Sequence, residues 1–589
     1  MANSSQQSVE RVNLVYRSGD KKTGMDVELP FRTLVLGDFT QSGVSEVFDG
    51  QTPVSVTTDN INDVIKGLGI ELVIDVPDCL MDGESSDNLT ITLPLTAISD
   101  FSPQTIVGNV PCLAKLAALR KQLLSILEGD LEGKRASGPD TLMQGDEDVA
   151  AFVQRYALDD QLSQSSLSIL VTEIDERLSR QMDTILHHKQ FETMESVWRA
   201  LYFLLERTPF EENCTVEILN ISKQALLENF EDVPETIQSE LYNIVYSAEF
   251  GQFGGRPFSV IIGNYDFGPS APDMRLLQQI AAVSSISHAP FIAAASPDLF
   301  DIDNFSGLTR IRDLSAIYEQ PRFAKWCSFR ESEDARYIGL TLPGFLLRTP
   351  WESDVDGAFN YQERYHKNQV GGLWGNCAFA FATRLLDSFS QYRWCLNISG
   401  AEDGKVAGLH MTSKTNSHRS IIPARVLISD RRESELVKHG FIPLSVRKGS
   451  DTAAFYSAQS VQSVKVFADT EEGRAATLNH LLGAQFPYLF IVSRLSHYLK
   501  MMQRENIGGW KTRLDIDKEL NNWLRQYVSD MDNPTPAVRA RRPLRKAQVK
   551  IREVEGKSGW YLIKLVVVPH LKYMGESFSL NETGKLDLA

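Results

Sequence analysis

What the sequence lacks narrows its function first. Its six cysteines, Cys79, Cys112, Cys214, Cys327, Cys377 and Cys395, are scattered with no C-x-x-C among them. Disulfide frameworks and zinc sites need patterned spacing, so the thiols read as buried side chains of a reducing compartment. No apolar run approaches the ~20 residues of a membrane span. Residues Met1 to Glu10 are polar and lack a signal peptide's apolar core, so the chain is expected in the cytoplasm with no direct membrane insertion. There is no G-x-x-x-x-G-K-[ST] phosphate loop and no G-x-S-x-G elbow. Positive charge is also short: the formal net charge is −16, and phosphate-rich partners require Lys and Arg in excess.

The 589 residues, 42% of them hydrophobic and 9% aromatic, are enough for two to four domains with real cores. Short β-rich runs lie at Arg11 to Arg17, Phe31 to Leu36, Glu71 to Val76 and Leu89 to Leu93, with Ile61, Val64, Ile65 and Leu68 at helical spacing between them. Leu113, Leu116, Leu119, Leu123 and Leu127 mark a helix opening at Pro111. Glu132 to Asp148 has the Gly, Pro and charge content of a linker. Two helical stripes follow: Leu167, Leu170, Ile174, Leu178, Met182 and Ile185, then Phe191, Met194, Trp198, Leu201 and Leu205. From Thr215 strands and helices alternate, which predicts a parallel or mixed sheet flanked by helices. The expected fold is mixed α/β and multi-domain. A unit at 1–132 ends in a helix, a linker with a short helix spans 133–166, and a helical pair spans 167–210. An α/β body covers 211–530 and a terminal strand segment 531–589. Phe31 to Phe39 also echoes Phe258 to Tyr265, each an aliphatic run breaking at Gly-Asx-aromatic. Strand-then-turn chemistry accounts for that echo without related halves.

Candidate sites are few. Gly251 to Gly255 is followed by a strand, where a phosphate loop needs a helix. Adjacent His187 and His188 point in different directions on a helix and cannot chelate as an i, i+4 pair would. Arg330, Glu331, Glu333, Asp334 and Arg336 form the densest interior charged block, read as a salt-bridge network in preference to an acid–base pair. Arg539 to Arg552 holds seven basic residues and no acidic one. There Ala547, Val549 and Ile551 alternate with Gln548, Lys550 and Arg552, the pattern of a half-buried strand with a cationic outer face. No catalytic constellation, metal cluster or cofactor site is read, so the chain is expected not to be an enzyme. Two rival readings stay open: a metabolic enzyme with its site around Arg330 to Arg336, and a nucleic-acid adaptor acting through Arg539 to Arg552.

Longer blocks carry a resemblance. Trp326 to Arg348, His288 to Ser296, Leu373 to Asn376, Ser429 to Leu436, Gly440 to Pro443 and Leu520 to Trp523 resemble the large subunit of the type VI secretion contractile sheath (TssC/VipB-like). Arg11 to Tyr16, Glu28 to Pro30, Leu34 to Thr40, Phe101 to Pro103 and Val110 to Pro111 resemble its small subunit (TssB/VipA-like). The two are normally separate chains, so this sequence resembles a fusion of both. The resemblance implies a helical homopolymer around an inner tube of Hcp-like rings, docked on a baseplate and contracting without nucleotide. Burial of even ~100 Å² more apolar surface per subunit would supply roughly 2.5 kcal/mol each. Strands near the termini are expected to pair with neighbouring copies, through Val12, Leu14 and Tyr16 at one end and Leu562, Lys564, Val566, Tyr573 and Phe578 at the other. The stretch from Leu127 to Leu167 holds one modest apolar group, Val149, Phe152, Val153 and Tyr156, in place of the leader helix that a ClpV-type ATPase reads in relatives. Weak binding to such an ATPase is therefore expected.

Overall fold

A computed structural model describes residues 14–18, 25–41, 48, 50–80, 88–127, 164–252, 254–352, 359–365, 371–410, 423–446, 452–505, 512–531, 534–553, 561–570 and 580–585. Val12, Tyr573, Phe578 and the group Val149 to Tyr156 lie outside these residues, as does most of the expected linker.

The architecture is mixed α/β, built on a nine-stranded sheet. Six of its strands run parallel: β1 (Phe31–Gly37), β2 (Cys214–Asn220), β3 (Val260–Phe267), β4 (Phe291–Ala295), β5 (Ile338–Leu342) and β6 (Phe441–Val446). Their order across the sheet is β2-β1-β3-β4-β5-β6, the doubly wound arrangement in which the chain reverses direction between the first and third strands. Short antiparallel strands extend both edges. The helices that matter below are α1 (Pro111–Leu127), α2 (Gln164–Leu186), α3 (Lys189–Glu206), α4 (Ala271–Ser287), α5 (Cys377–Tyr392), α6 (Phe486–Glu505) and α7 (Arg513–Arg525).

The sheet does not respect the boundary expected at 132. β1, from the first unit, lies in the middle of the sheet, with Thr33 opposite both Val216 and Val260. Strand alternation divides its side chains between two cores. Phe31 and Val35 join the cluster under α2, α3 and α5, while Leu34 and Leu36 join the cluster around α4. A strand buried on both faces reads as a continuous apolar run, and Leu34, Val35 and Leu36 are one. The echoing segments prove to be neighbours, since β1 and β3 pair in parallel from Thr33 and Val260 to Leu36 and Gly263.

Other parts of the first unit lock onto the body as well. The hairpin Ile70–Pro77 and Asn88–Leu95 alternates in burial and packs its inner face into the first core. The Cys79 N–H donates to Gln181 Oε1 at 2.7 Å, and Arg120 of α1 pairs with Asp175 of α2 at 2.5 Å. Arg32 forms a bidentate pair with Glu217 at 2.8 Å and 2.8 Å, one strand over. The stripes of α2 and α3 are buried at the positions named above. Leu34→Ala is expected to cost about 2–5 kcal/mol, read as a fall in the urea midpoint. A midpoint unchanged from wild type would show that β1 is dispensable to the body.

Candidate functional site

The two ends of the chain meet on α6 and α7. Leu14, Tyr16 and Leu29 pack with Trp394, Tyr498, Trp523 and Tyr527 in a separate core. Ring hydroxyls and an indole serve the backbone where a sheet neighbour otherwise would. Tyr498 Oη donates to Leu14 O at 2.6 Å and accepts from the Leu29 N–H at 2.9 Å. Trp523 Nε1 donates to Val15 O at 2.8 Å, and the Val15 N–H donates to Tyr527 Oη at 3.2 Å. Arg494, buried beside them, donates to the carbonyls of Leu29 and Pro30. Tyr16–Ser18 then pairs with Met25–Val27 as a short hairpin. Burial raises the Tyr498 hydroxyl to about 12, so it stays a neutral donor.

The same core supports a three-stranded antiparallel sheet of β7 (Leu544–Glu553), β8 (Tyr561–Pro569) and β9 (Leu580–Lys585). Val549, Ile551, Ile563, Leu565 and Val567 point into it. Leu562, Lys564 and Val566 are thus on a central strand, paired with Arg552, Lys550 and Gln548 on one side and with Lys585, Thr583 and Asn581 on the other. Their backbone partners lie within the chain, and the edges belong to β7 and β9. The β7 edge is closed at one rung by a side chain: Asn521 Oδ1 accepts the Val549 N–H at 2.9 Å and Nδ2 donates to Val549 O at 3.0 Å.

The block at Arg330 is not the charged network its composition suggests. Arg330 is buried and donates to Val461 O at 3.0 Å and Lys438 O at 3.2 Å. Glu331 and Glu333 are exposed. Among the described residues no ion pair joins Glu331, Glu333, Asp334 and Arg336 to one another. The buried ionic cluster lies elsewhere, where Arg348 spans Glu195 at 2.8 Å and Glu363 at 2.7 Å. Arg199 adds a bond to Glu195 at 2.7 Å, while His187 Nε2 lies 3.3 Å and Tyr365 Oη 2.5 Å from Glu363 Oε1. His187 therefore faces a carboxylate. Burial would raise the Glu363 carboxyl, but the His187 hydrogen bond and the Arg348 charge outweigh it and hold it at about 2. Sequence reasoning missed this cluster because its members lie far apart along the chain. Glu195 was the available signal, a carboxylate beside Met194 on a helix whose inner stripe is otherwise apolar.

A cleft of about 400 Å³ opens at the carboxyl ends of β3, β4 and β5, between α3 and the start of α5, with Lys189, Glu192, Asp266, Trp374 and Arg425 on its walls. Doubly wound sheets place ligands at such ends. Cys377 there is fully buried, which pushes its thiol well up and leaves it no activated nucleophile. Among the described residues no group of three His, Cys, Asp or Glu side chains is placed to hold a metal ion, and no helix is long and apolar enough to cross a membrane.

Comparison with known proteins assigns the two interleaved units. The profile described as "EvpB/VC_A0108, tail sheath N-terminal domain" matches residues 168–462, and the "tail sheath gpW/gp25-like domain" matches 475–586. The profile "Type VI secretion system, VipA, VC_A0107 or Hcp2" matches residues 4–144. The type VI secretion system sheath protein TssC1 of Pseudomonas aeruginosa is 38% identical over 434 residues, covering 72% of this chain and 86% of that protein. A solved chain of the anti-feeding prophage baseplate aligns at 8% identity over 67% of this chain and 78% of its own, with a TM-score of 0.32. The class is that of structural sheath subunits. This chain belongs to the type VI secretion sheath family and carries VipA-type and VipB-type parts in one polypeptide.

Removing the cation that the two carboxylates share leaves Glu195 to Arg199 and Glu363 to His187 and Tyr365. Arg348→Ala is expected to cost about 3–5 kcal/mol, and Arg348→Lys to recover little of it because one ammonium cannot span both partners. Because the folded Glu363 carboxyl sits below its ordinary value, its contribution is complete above pH ~4.5 and is lost as pH falls toward 2. Urea midpoints at pH 7 and pH 3 check this. Glu363→Gln should shrink the difference between them, and an unchanged difference would assign the acid loss to other groups.

Proposed function

We propose that the chain polymerises as the sole sheath component of a contractile injection machine, a helical homopolymer around a tube of Hcp-like rings, seated on a baseplate in the cytoplasm. The observation that carries this reading is that β1 of the VipA-type part completes the VipB-type sheet, so that one polypeptide holds a whole sheath protomer. Contraction then draws on the lattice and spends no nucleotide. The cleft offers charge and shape without an activated nucleophile, which favours a structural role over the enzyme reading. The cationic residues of Arg539 to Arg552 that lie in β7 are built into a sheet, and the net charge of −16 weighs against a nucleic-acid partner.

Subunits join by strand addition, in which main-chain hydrogen bonds supply affinity. At the N-terminal end the donors are Val12, Leu14 and Tyr16. In this chain Leu14 and Val15 are held by three ring groups and Tyr16 by a short hairpin, an arrangement that can be exchanged for a neighbour's strand. At the C-terminal end β9 and the segment with Tyr573 and Phe578 fill the same role. Negative-stain microscopy of the purified protein is expected to show hollow tubes. Deletion of Met1 to Arg17 should leave a soluble, folded protein without long tubes, because both main cores lie outside that segment. Intact tubes from the deletion would remove strand donation from the reading, and discrete small oligomers from the full chain would remove the sheath assembly itself.

Recycling by a ClpV-type ATPase is weak. Val149, Phe152, Val153 and Tyr156 allow about two helical turns, and isolated helices that short are marginal in water. A labelled peptide of Asp146 to Leu162 is expected to bind such an ATPase more weakly than micromolar in a direct titration. Micromolar or tighter binding would make that segment the recognition helix.

A further inference from the structure

The outer face of the C-terminal sheet is built of unlike parts. From β7 it presents Lys546, Gln548, Lys550 and Arg552, all exposed, and from β8 the half-buried Leu562, Lys564, Val566 and Val568. In register, Lys546 lies opposite Val568, Gln548 opposite Val566, Lys550 opposite Lys564 and Arg552 opposite Leu562. Two lysines directly across a strand pair repel. Among the described residues none of these four cations has a carboxylate partner. The result is an aliphatic strip edged by positive charge, on a chain whose net charge is −16.

A complementary surface lies elsewhere on the chain. Val466 is 84% and Phe467 46% exposed, the former the most exposed large apolar side chain described. Three carboxylates follow them: Asp469, and then Glu471 and Glu472 in the first turn of the helix Glu471–Gly483. The segment is held in place. The Phe467 N–H donates to Thr477 Oγ1 at 3.0 Å, and Thr470 Oγ1 caps the helix by accepting the Gly473 N–H at 3.0 Å. Arg474 stands 3.8 Å from Asp469, both largely exposed. Val466 is thus presented almost bare, beside a half-exposed Phe467 whose ring lies 6.4 Å from that of His480 and beside three exposed acids.

We propose that the cationic and aliphatic face of β7 and β8 on one copy docks the segment Lys465 to Glu472 of a second copy. Val466 and Phe467 lie on the strip of Leu562, Val566 and Val568, and Glu471 and Glu472 answer Lys550 and Lys564. The proposal rests on the sheath reading and names a contact within it. Two acidic chains repel over most of their surfaces, so a local patch of opposite sign selects the register in which they meet. Because the two surfaces differ, the contact is heterologous and propagates into a ring or a helix instead of closing as a two-fold dimer. Covering the Lys550 and Lys564 pair with carboxylates also relieves the repulsion that the isolated sheet carries.

The test is a charge exchange in the full chain, followed by light scattering and negative-stain microscopy. Lys550→Glu with Lys564→Glu is expected to slow tube assembly at least tenfold, as is Glu471→Lys with Glu472→Lys. All four together should restore it. Zero-length carbodiimide cross-linking of tubes mixed from isotopically light and heavy chains should join Lys550 or Lys564 of one copy to Glu471 or Glu472 of another. If the strand variant is misfolded by circular dichroism, the helix variant and the cross-links decide alone. Wild-type cross-links that bypass these residues would overturn the contact while leaving the sheath reading intact, as would a four-fold variant that is folded yet as defective as its parents. A wild-type chain that never polymerises overturns both. Binding of a DNA duplex at low salt that is lost in Lys550→Glu with Lys564→Glu would assign the face to nucleic acid and also overturn the proposal.

Discussion

The molecule depends on one strand being in the right sheet. β1 supplies the partner that β2 and β3 both require, seven residues in register with β2 and four with β3. Without it the inner edges of two strands would be bare, and unpaired backbone groups inside a protein cost as much as lost hydrogen bonds. Its side chains also complete two cores on opposite faces. The two family parts are therefore not domains laid end to end. They form one folding unit, tied again at Arg120 and Asp175 and at Arg32 and Glu217.

Two kinds of polar arrangement divide the work around that frame. Inside, Arg348 and its two carboxylates are satisfied by geometry, with the guanidinium fork reaching Glu195 and Glu363 together and Trp351 covering it at 5.1 Å. Such a cluster tolerates no lost member, which holds α3 and the strand carrying Arg348 in a fixed relation. Near the chain ends, by contrast, Tyr498, Trp523 and Tyr527 hold the N-terminal segment through neutral hydrogen bonds to the backbone of Leu14, Val15 and Leu29, and Asn521 closes one rung of β7 with its amide.

How much of this was legible in the sequence varied with range. The stripes of α2 and α3 and the alternation of β7 are local patterns, and the helices and the cationic face follow from them directly. The alternation after Thr215 gave the α/β class for the same reason. The position of β1 was not legible, because a strand's place in a sheet is decided by partners that here lie roughly two hundred residues away, and the aliphatic run Leu34 to Leu36 fits an isolated hairpin as well as a sheet centre. Composition misled at Arg330. Density of charge along the chain favours exposed helix ends, whereas the buried cluster draws Glu195 and Arg199 from α3, Arg348 from the strand Phe345–Arg348, and Glu363 and Tyr365 from the segment 359–365. Strand pairing within 561–569 was readable as β-rich sequence, but centre and edge differ only through neighbours that period-two patterning does not encode.

The peptide link between β1 and the rest of its sheet changes what dilution can do. Two separate chains that share a sheet come apart as their concentrations fall, and an excess of either leaves unpaired edges exposed to other partners. A tethered strand meets its sheet at an effective concentration set by the tether, which is independent of how much protein is present. Every molecule made therefore carries equal numbers of both parts, and the supply of protomers follows a single rate of synthesis.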